Sequence, residues 1–129
     1  MLTRRLLLSL AASAALALPA AAQDRLSVIA TTGMIADAAR QVGGDLVAVT
    51  ALMGPGVDPH AYRQTRSDIV ATADADLVLW NGLYLEAQLE EFLLDLAQTR
   101  PVVAVAETIA PAQLIGSEDY AGRFDPHVW

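Results

Sequence analysis

The chain reads VAVTAL over residues 47–52 and GPGVDPHAY over residues 54–62. The first stretch is rich in β-branched residues and predicts a strand, and the second is a Gly- and Pro-rich loop that begins where the strand ends. Three further strands are predicted over residues 26–31, 76–80 and 102–106. Because helical patterns alternate with these strands, we predict an α/β fold with a four-stranded, mainly parallel sheet flanked by helices.

Three helices are predicted between the strands. The first runs from Gly33 with apolar residues at helical spacing and ends at the glycine pair 43–44. The second begins with the capping-box pattern of residues 65–68. The third carries the strongest apolar stripe of the chain, from Leu85 to Leu96.

The tripeptide Asp-Pro-His occurs twice, and its two copies contain both histidines of the chain, His60 and His127. Imidazole is the commonest neutral metal ligand at physiological pH, and the preceding proline limits the directions in which each ring can point. Ligands of parallel α/β sheets bind beyond the carboxyl ends of the strands, where the loop that holds His60 begins. We therefore predict one metal site shared by His60 and His127. The alternative is that each histidine lies in a solvated surface turn.

Asp58 and Asp125 begin the two tripeptides. Each carboxylate could accept the free ring N–H of its neighbouring histidine and set the tautomer of a metal-binding imidazole. The other acids, Glu90-Glu91 and Glu118-Asp119, are interpreted as solvated side chains. Trp80 and Trp129 are interpreted as core or rim packing.

Residues 1–22 have the order of a secretory signal peptide: Arg4 and Arg5, an apolar run over residues 6–18, and three alanines before Gln23. The apolar run is short for a membrane span, although a retained anchor is the alternative. The paired arginines leave open whether export follows the general or the twin-arginine route. We expect cleavage after Ala22, a periplasmic location, and a folded domain over residues 23–129.

The chain is acidic, with a formal net charge of −7, and it contains no cysteine. An acidic chain without lysine has no electrostatic footprint for nucleic acid. The absence of cysteine excludes a disulfide framework, a thiolate metal site and a lipid attached through an N-terminal cysteine. We expect a soluble monomer without a lipid anchor.

A secreted metal-dependent hydrolase is the main alternative function, since a catalytic zinc site also uses few protein ligands and keeps one position open. The sequence contains no H-E-x-x-H helix and no nucleophile elbow around its serines. We therefore expect a binding protein and no enzyme, with no catalytic residues and no phosphate or dinucleotide loop.

Four stretches carry a resemblance to a known family: ATTGMI at 30–35, GVDPHAY at 56–62, LWNGLYLE at 79–86 and FDPHVW at 124–129. In these stretches the chain resembles the metal-binding receptors of bacterial ABC importers for manganese, zinc or iron. The resemblance implies two α/β lobes joined by a long rigid helix, a metal held between the lobes, and His60 and His127 as two of its ligands. It also implies delivery of the metal to the membrane subunit of an ABC permease, with no chemistry performed.

The resemblance also includes a departure. In the family the chain continues past the second Asp-Pro-His into a C-terminal lobe that provides the other two ligands, usually a Glu or His and then an Asp. We therefore expect residues 23–129 to be an N-terminal α/β metal-binding lobe, truncated at the start of the interlobe region, with half a coordination sphere. Zinc-specific members often carry a His-rich loop that residues 107–124 lack, so the expected ion is manganese, then zinc, then iron.

Overall fold

The computed structural model describes residues 24–118 and 120–129, so the predicted signal peptide lies outside the described residues. Four strands form one sheet: β1 Leu26–Ala30, β2 Val47–Ala51, β3 Leu77–Trp80 and β4 Val102–Ala104. All neighbouring strands are parallel and the spatial order is β2-β1-β3-β4. The predicted α/β fold is therefore confirmed. The chain turns to opposite sides after β1 and β3, which opens a crevice at their carboxyl ends.

Two of the predicted helices are confirmed with their caps. Helix α1, Gly33–Gly43, follows Thr32, whose hydroxyl accepts from the Ile35 N–H, and it ends before Gly44 at φ 53°. Glycine adopts this left-handed conformation without a Cβ penalty. Helix α2, Arg66–Asp74, carries the predicted reciprocal capping box between Thr65 and Asp68. A short 3₁₀ turn, Gly44–Leu46, joins α1 to β2.

The third helix begins later than the predicted start at Leu85. Helix α3 covers Glu90–Leu96 only, and residues 83–89 form a series of turns. The physical reason is the hydrogen bonding of this stretch: the N–H groups of Leu85 and Leu89 donate to the carbonyls three residues back, of Gly82 and Glu86, as in turns rather than in an α-helix. Leu83 and Tyr84, at φ 53° and 71°, also prevent a helix from extending upstream of Leu85. Leu85 is nevertheless fully buried. The apolar stripe therefore indicated burial rather than a continuous helix.

The buried residues of the sheet lie in the two central strands, β1 and β3, which fits their near-continuous apolar sequences. Alternate residues of a strand point to opposite faces. Ile29 and Val78 pack with Leu89, Leu93 and Trp80 in the main core. On the other face, Val28 and Leu79 lie beside the apolar side of α1. Trp80 is therefore a core residue, as expected. No helix within the described ranges is long and apolar enough to cross a bilayer.

The chain after β4 is irregular, as predicted, and returns to the carboxyl edge of the sheet. It contains two 3₁₀ turns, Ala106–Thr108 and Pro111–Gln113. An antiparallel bridge between Gly116 and Phe124 then closes the loop that we call the 115–128 loop. This loop carries the second Asp-Pro-His turn back over the sheet.

Candidate metal centre

The two Asp-Pro-His turns meet at the carboxyl edge of the sheet. His60 lies in the loop after β2, and His127 lies in the 115–128 loop. Their Nε2 atoms are 3.4 Å apart, and the ring planes are inclined by 54°. The structure thus brings together both predicted site residues from distant parts of the chain. That these imidazoles bind a metal stays a prediction.

The repeated tripeptide folds into the same local turn both times. Asp58 Oδ1 accepts from the His60 backbone N–H at 2.9 Å, and Asp125 Oδ1 accepts from the His127 backbone N–H at 2.9 Å. An aspartate that bonds the backbone two residues on forms an Asx turn, and the intervening proline fixes φ within it. Each imidazole therefore leaves a stiff turn of the same construction.

The two aspartates differ in whether they contact the imidazole ring of their histidine. Asp125 Oδ1 also lies 2.7 Å from His127 Nδ1, so the ring proton is assigned to Nδ1 and the Nε2 lone pair of neutral His127 faces His60. Hydrogen bonds from the His127 backbone and then from its side chain hold the pKa of Asp125 below its ordinary value. In the described part of the chain, no hydrogen bond joins Asp58 to the ring of His60. The structure places Asp125, but not Asp58, within hydrogen-bond distance of its histidine ring. The role of either carboxylate in setting the tautomer of a metal-binding imidazole stays a prediction.

The imidazole pair is open to solvent on one side. The side chains of His127 and Asp125 are 53% and 45% exposed. A cavity of about 200 Å³ adjoins both imidazoles, and Glu118 lies on its wall as an exposed acid. Trp129 lies edge-on to His127 with ring centroids 5.3 Å apart, which places it at the rim.

Within residues 24–118 and 120–129, no group of three or more His, Cys, Asp or Glu side chains is arranged to hold a metal ion. A larger cavity of about 570 Å³ lies beside the N-terminal end of α1 and contains neither imidazole in its wall. Its lining is mostly apolar, so it offers little to a cation. The described residues therefore provide a pair of candidate ligands rather than a closed coordination sphere.

A buried carboxylate behind the imidazoles escaped the sequence interpretation. Glu86 is fully buried, and Oε1 accepts from Thr31 Oγ1 at 2.5 Å and from the Asn81 backbone N–H at 2.8 Å. Burial raises the pKa of Glu86, while these hydrogen bonds oppose the rise. The available signal was a lone acid inside the apolar stripe LYLEAQL, where an unpaired charge would be costly.

The loop that holds His60 is fastened to the start of α2. The hydroxyl of Tyr62 donates to Asp68 Oδ2 at 2.7 Å, and the same oxygen accepts from the Thr65 backbone at 2.6 Å. Burial, and then the hydrogen bond and charge of Asp68, raise the pKa of Tyr62 to about 12. Asp68, the carboxylate of the α2 capping box, thus also anchors the first Asp-Pro-His loop.

A comparison with known protein families accounts for this arrangement. Residues 28–129 match the family described as zinc-uptake complex component A, periplasmic. The match includes all of the sheet except the first two residues of β1, and it includes both Asp-Pro-His turns. The chain belongs to this family. It is a family of metal-uptake binding proteins, not of enzymes, so the hydrolase alternative has no support.

Individual relatives bind different metals. The manganese-binding lipoprotein MntA of Bacillus subtilis is 46% identical over 108 residues, which are 84% of this chain and 35% of MntA. The iron-binding protein YfeA of Yersinia pestis is 36% identical over 123 residues, 94% of this chain and 39% of YfeA. The structure of the periplasmic zinc-binding protein TroA from Treponema pallidum superposes with a TM-score of 0.77 at 45% identity, and the alignment covers 82% of this chain and 38% of TroA.

These comparisons confirm the predicted family and the lobe-like fold. The chain spans 35% to 39% of the length of these relatives. The family description and that of TroA name the periplasm. Because MntA is a lipoprotein, the expected absence of a lipid anchor in this chain stays a prediction.

Proposed function

We propose that residues 23–129 form the N-terminal lobe of a periplasmic solute-binding protein that captures a divalent transition metal through His60 and His127. The main support is the 3.4 Å separation of the two Nε2 atoms. Two ligands that lie 2.0–2.1 Å from a tetrahedral zinc ion are about 3.3–3.4 Å apart. The imidazole pair therefore already has the spacing of two adjacent ligands.

The protonation state of the pair also suits capture. Asp125 holds the His127 proton at Nδ1, which directs the Nε2 lone pair toward the position between the rings. Without metal, the same distance suits a long hydrogen bond from His60 Nε2–H to that lone pair. A metal ion that binds both Nε2 atoms must shift this proton to Nδ1 of His60, which is a change of tautomer with no net release of protons.

The captured ion would be passed on unchanged. The site offers imidazoles and one positioned carboxylate, and it lacks a nucleophile with a neighbouring base among the described residues. Binding followed by release is the activity that such a set supports. We propose that the recipient is the membrane subunit of an ABC permease, because the family is a component of metal uptake. The remaining ligands would come from a second lobe.

The identity of the ion is the finer part of the proposal. Relatives named for manganese, zinc and iron all align with this chain, and imidazole suits several of these ions. We propose manganese before zinc, and zinc before iron, because residues 107–124 contain no histidine. Manganese accepts more oxygen ligands than zinc, and the two imidazoles would then occupy adjacent positions of a larger sphere.

Calorimetric titration with Mn²⁺ and Zn²⁺ tests the proposal. His60→Ala and His127→Ala should each lose most of the affinity, because no other side chain in the described cluster can replace a fixed imidazole. Gln64→Ala, a polar change nearby in the chain, serves as the control and should bind like the wild type. Equal affinity in the wild type and His60→Ala would remove His60 from the site and overturn the assignment.

A further inference from the structure

Asn81, directly after β3, joins the second Asp-Pro-His turn to the sheet. Its Nδ2 group donates to the Pro126 carbonyl at 3.1 Å and to the Gly82 carbonyl at 3.0 Å. Asn81 is 3% exposed and Pro126 is buried, so water does not compete for the bond. We propose that Asn81 is a positioning residue that sets the separation of the His60 and His127 imidazoles.

Away from the Asp-Pro-His turn, the 115–128 loop is held by Tyr84: the Arg123 guanidinium lies 3.7 Å from the centroid of the Tyr84 ring, and Tyr120 packs edge-on against it. The backbone hydrogen bonds recorded for this loop lie within the loop itself: they join Asp125 N–H to the Ile115 carbonyl, Ser117 N–H to the Arg123 carbonyl, Arg123 N–H to the Tyr120 carbonyl and Val128 N–H to the Pro126 carbonyl.

Among the described residues, two hydrogen bonds connect the second Asp-Pro-His turn to the loops that follow the strands. One joins Asn81 to Pro126, and the other is the contact between the His60 and His127 imidazoles. Tyr84 holds the loop at a distance from the turn, whereas Asn81 bonds the turn itself, so Asn81 is the contact that acts most directly on the placement of His127 relative to His60.

Asn81 is itself held through both of its backbone polar groups. Its backbone N–H donates to Glu86 Oε1 at 2.8 Å, and its carbonyl accepts from the Ala106 N–H at 3.0 Å. Glu86 is in turn bonded by the hydroxyl of Thr31, the residue after β1. The buried carboxylate therefore connects the ends of β1 and β3 and fixes the backbone from which the Asn81 amide projects. The role of Glu86 is therefore to fix the backbone of Asn81, since its buried carboxylate is not a candidate metal ligand.

The path from Asn81 to the imidazole is short. The Pro126 carbonyl belongs to the peptide bond of His127, and Asp125 Oδ1 holds both the backbone N–H and Nδ1 of His127. Asp125 thus fixes the ring to the turn, while Asn81 fixes the turn to the sheet. His60 is anchored separately, through Tyr62 and Asp68. Loss of the Asn81 amide should move one imidazole and leave the other in place.

The inference rests on the proposed function, since a set distance between the rings matters only if both bind one ion. Partners one step removed from a metal ligand typically change affinity by about 10–100-fold. Asn81→Asp keeps the size of the side chain and replaces the donor by an oxygen that repels the Pro126 carbonyl. Asn81→Ala removes the donor without repulsion and serves if Asn81→Asp does not fold.

Nuclear magnetic resonance of the chain provides the test, because its two histidines give an unambiguous imidazole spectrum. The readouts are the nuclear Overhauser effect between the two rings without metal and the Zn²⁺ affinity followed on the same signals. Thr72→Val is the matched control, since it removes another buried bond to a carbonyl, from Thr72 Oγ1 to the Asp68 oxygen at 2.7 Å. Thermal unfolding of all variants separates a loss of fold from a loss of positioning.

The expected result is that both Asn81 variants lose the effect between the rings and bind Zn²⁺ at least about tenfold more weakly, while Thr72→Val retains both. The positioning role would be overturned if Asn81→Asp kept both the wild-type nuclear Overhauser effect between the rings and the wild-type Zn²⁺ affinity. Asn81→Ala decides the matter in the same way if Asn81→Asp does not fold. This conclusion would hold even if His60→Ala abolished metal binding. A different outcome is that the wild type does not bind Zn²⁺ while the Asn81 variants lose the nuclear Overhauser effect between the rings. That result would overturn the proposed metal function but would support the role of Asn81 in positioning His127.

Discussion

Asp125 holds His127 through a single oxygen, which accepts the backbone N–H at 2.9 Å and lies 2.7 Å from Nδ1. Asp58 makes the first of these bonds to His60 but leaves the ring alone. The same tripeptide thus supports one imidazole through backbone and side chain, and the other through backbone only. The Asx turn accounts for the backbone bond that both aspartates make. The orientation of the imidazole ring accounts for the ring contact that only Asp125 makes.

This asymmetry predicts unequal effects of two matched substitutions. Asp58→Ala and Asp125→Ala both remove an Asx turn, but only Asp125→Ala removes the acceptor that sets the tautomer. Asp125→Ala should therefore weaken Zn²⁺ binding by about 10–100-fold, and Asp58→Ala should weaken it less. Calorimetric titration of the two variants side by side is the measurement. Equal losses would show that the ring contact contributes nothing to affinity.

Gly82 should be the least replaceable glycine near the site. Its φ is 80°, and an added Cβ would lie 2.8 Å from Glu107 Oε1 and 2.9 Å from the Ala104 Cβ. Gly82→Ala should lower the free energy of unfolding by more than about 1 kcal/mol, through backbone strain and crowding. Gly54→Ala is the control, because a Cβ there meets nothing within 4 Å. Urea unfolding that gives the two variants the same stability would contradict the strain argument.

Asp68 predicts a pH window for stability. Burial opposes its ionisation, but hydrogen bonds from the backbone and hydroxyl of Thr65 and from Tyr62 hold its pKa below the ordinary 3.8. A carboxyl group with a lowered pKa in the folded state stabilises the protein above the unfolded pKa. This contribution is lost as the pH falls through the folded pKa.

The measurement is the difference in unfolding free energy between the wild type and Asp68→Asn at several pH values. The difference should be largest above about pH 5 and should shrink as the pH falls below 3.8. Thr65→Ala, which removes one of the donors, should move the loss toward pH 3.8. A difference that stays constant down to the acid transition would exclude Asp68 as its source.

The predicted signal peptide has a direct test in the mass of the exported protein. Cleavage after Ala22 would leave a chain that begins at Gln23, since the charged, apolar and small-residue regions occur in the order that export requires. Intact-mass measurement of the periplasmic fraction decides the matter. A mass that still includes residues 1–22 would show that the segment is retained.

Much of the fold could be predicted because its signals are local. The capping box at Thr65, the glycines that end α1 and the alternation of strands with helices all act over a few residues. The pairing of the histidines was also predictable, because a rare residue occurred twice in one tripeptide. These signals required no knowledge of which distant segments meet.

The rest depends on contacts between distant residues. The left-handed backbone of Leu83 and Tyr84 has no signature in two residue types that rarely adopt it. The bond from Asn81 to Pro126 joins positions far apart in sequence, and the choice of Asp125 over Asp58 follows from ring orientation. Periodicity and turn chemistry do not contain this information, since tertiary structure decides it.

The prolines of the two tripeptides have a kinetic consequence. Pro59 and Pro126 fix one backbone angle in each turn, and the Asx bonds fix the rest. The backbone conformational entropy of ordering these two turns is therefore lost when the chain folds and not when an ion arrives. Metal binding by this pair should therefore need no rearrangement of the two turns. The residence time of an ion would then be set by the dissociation of the remaining ligands, which we propose come from a second lobe.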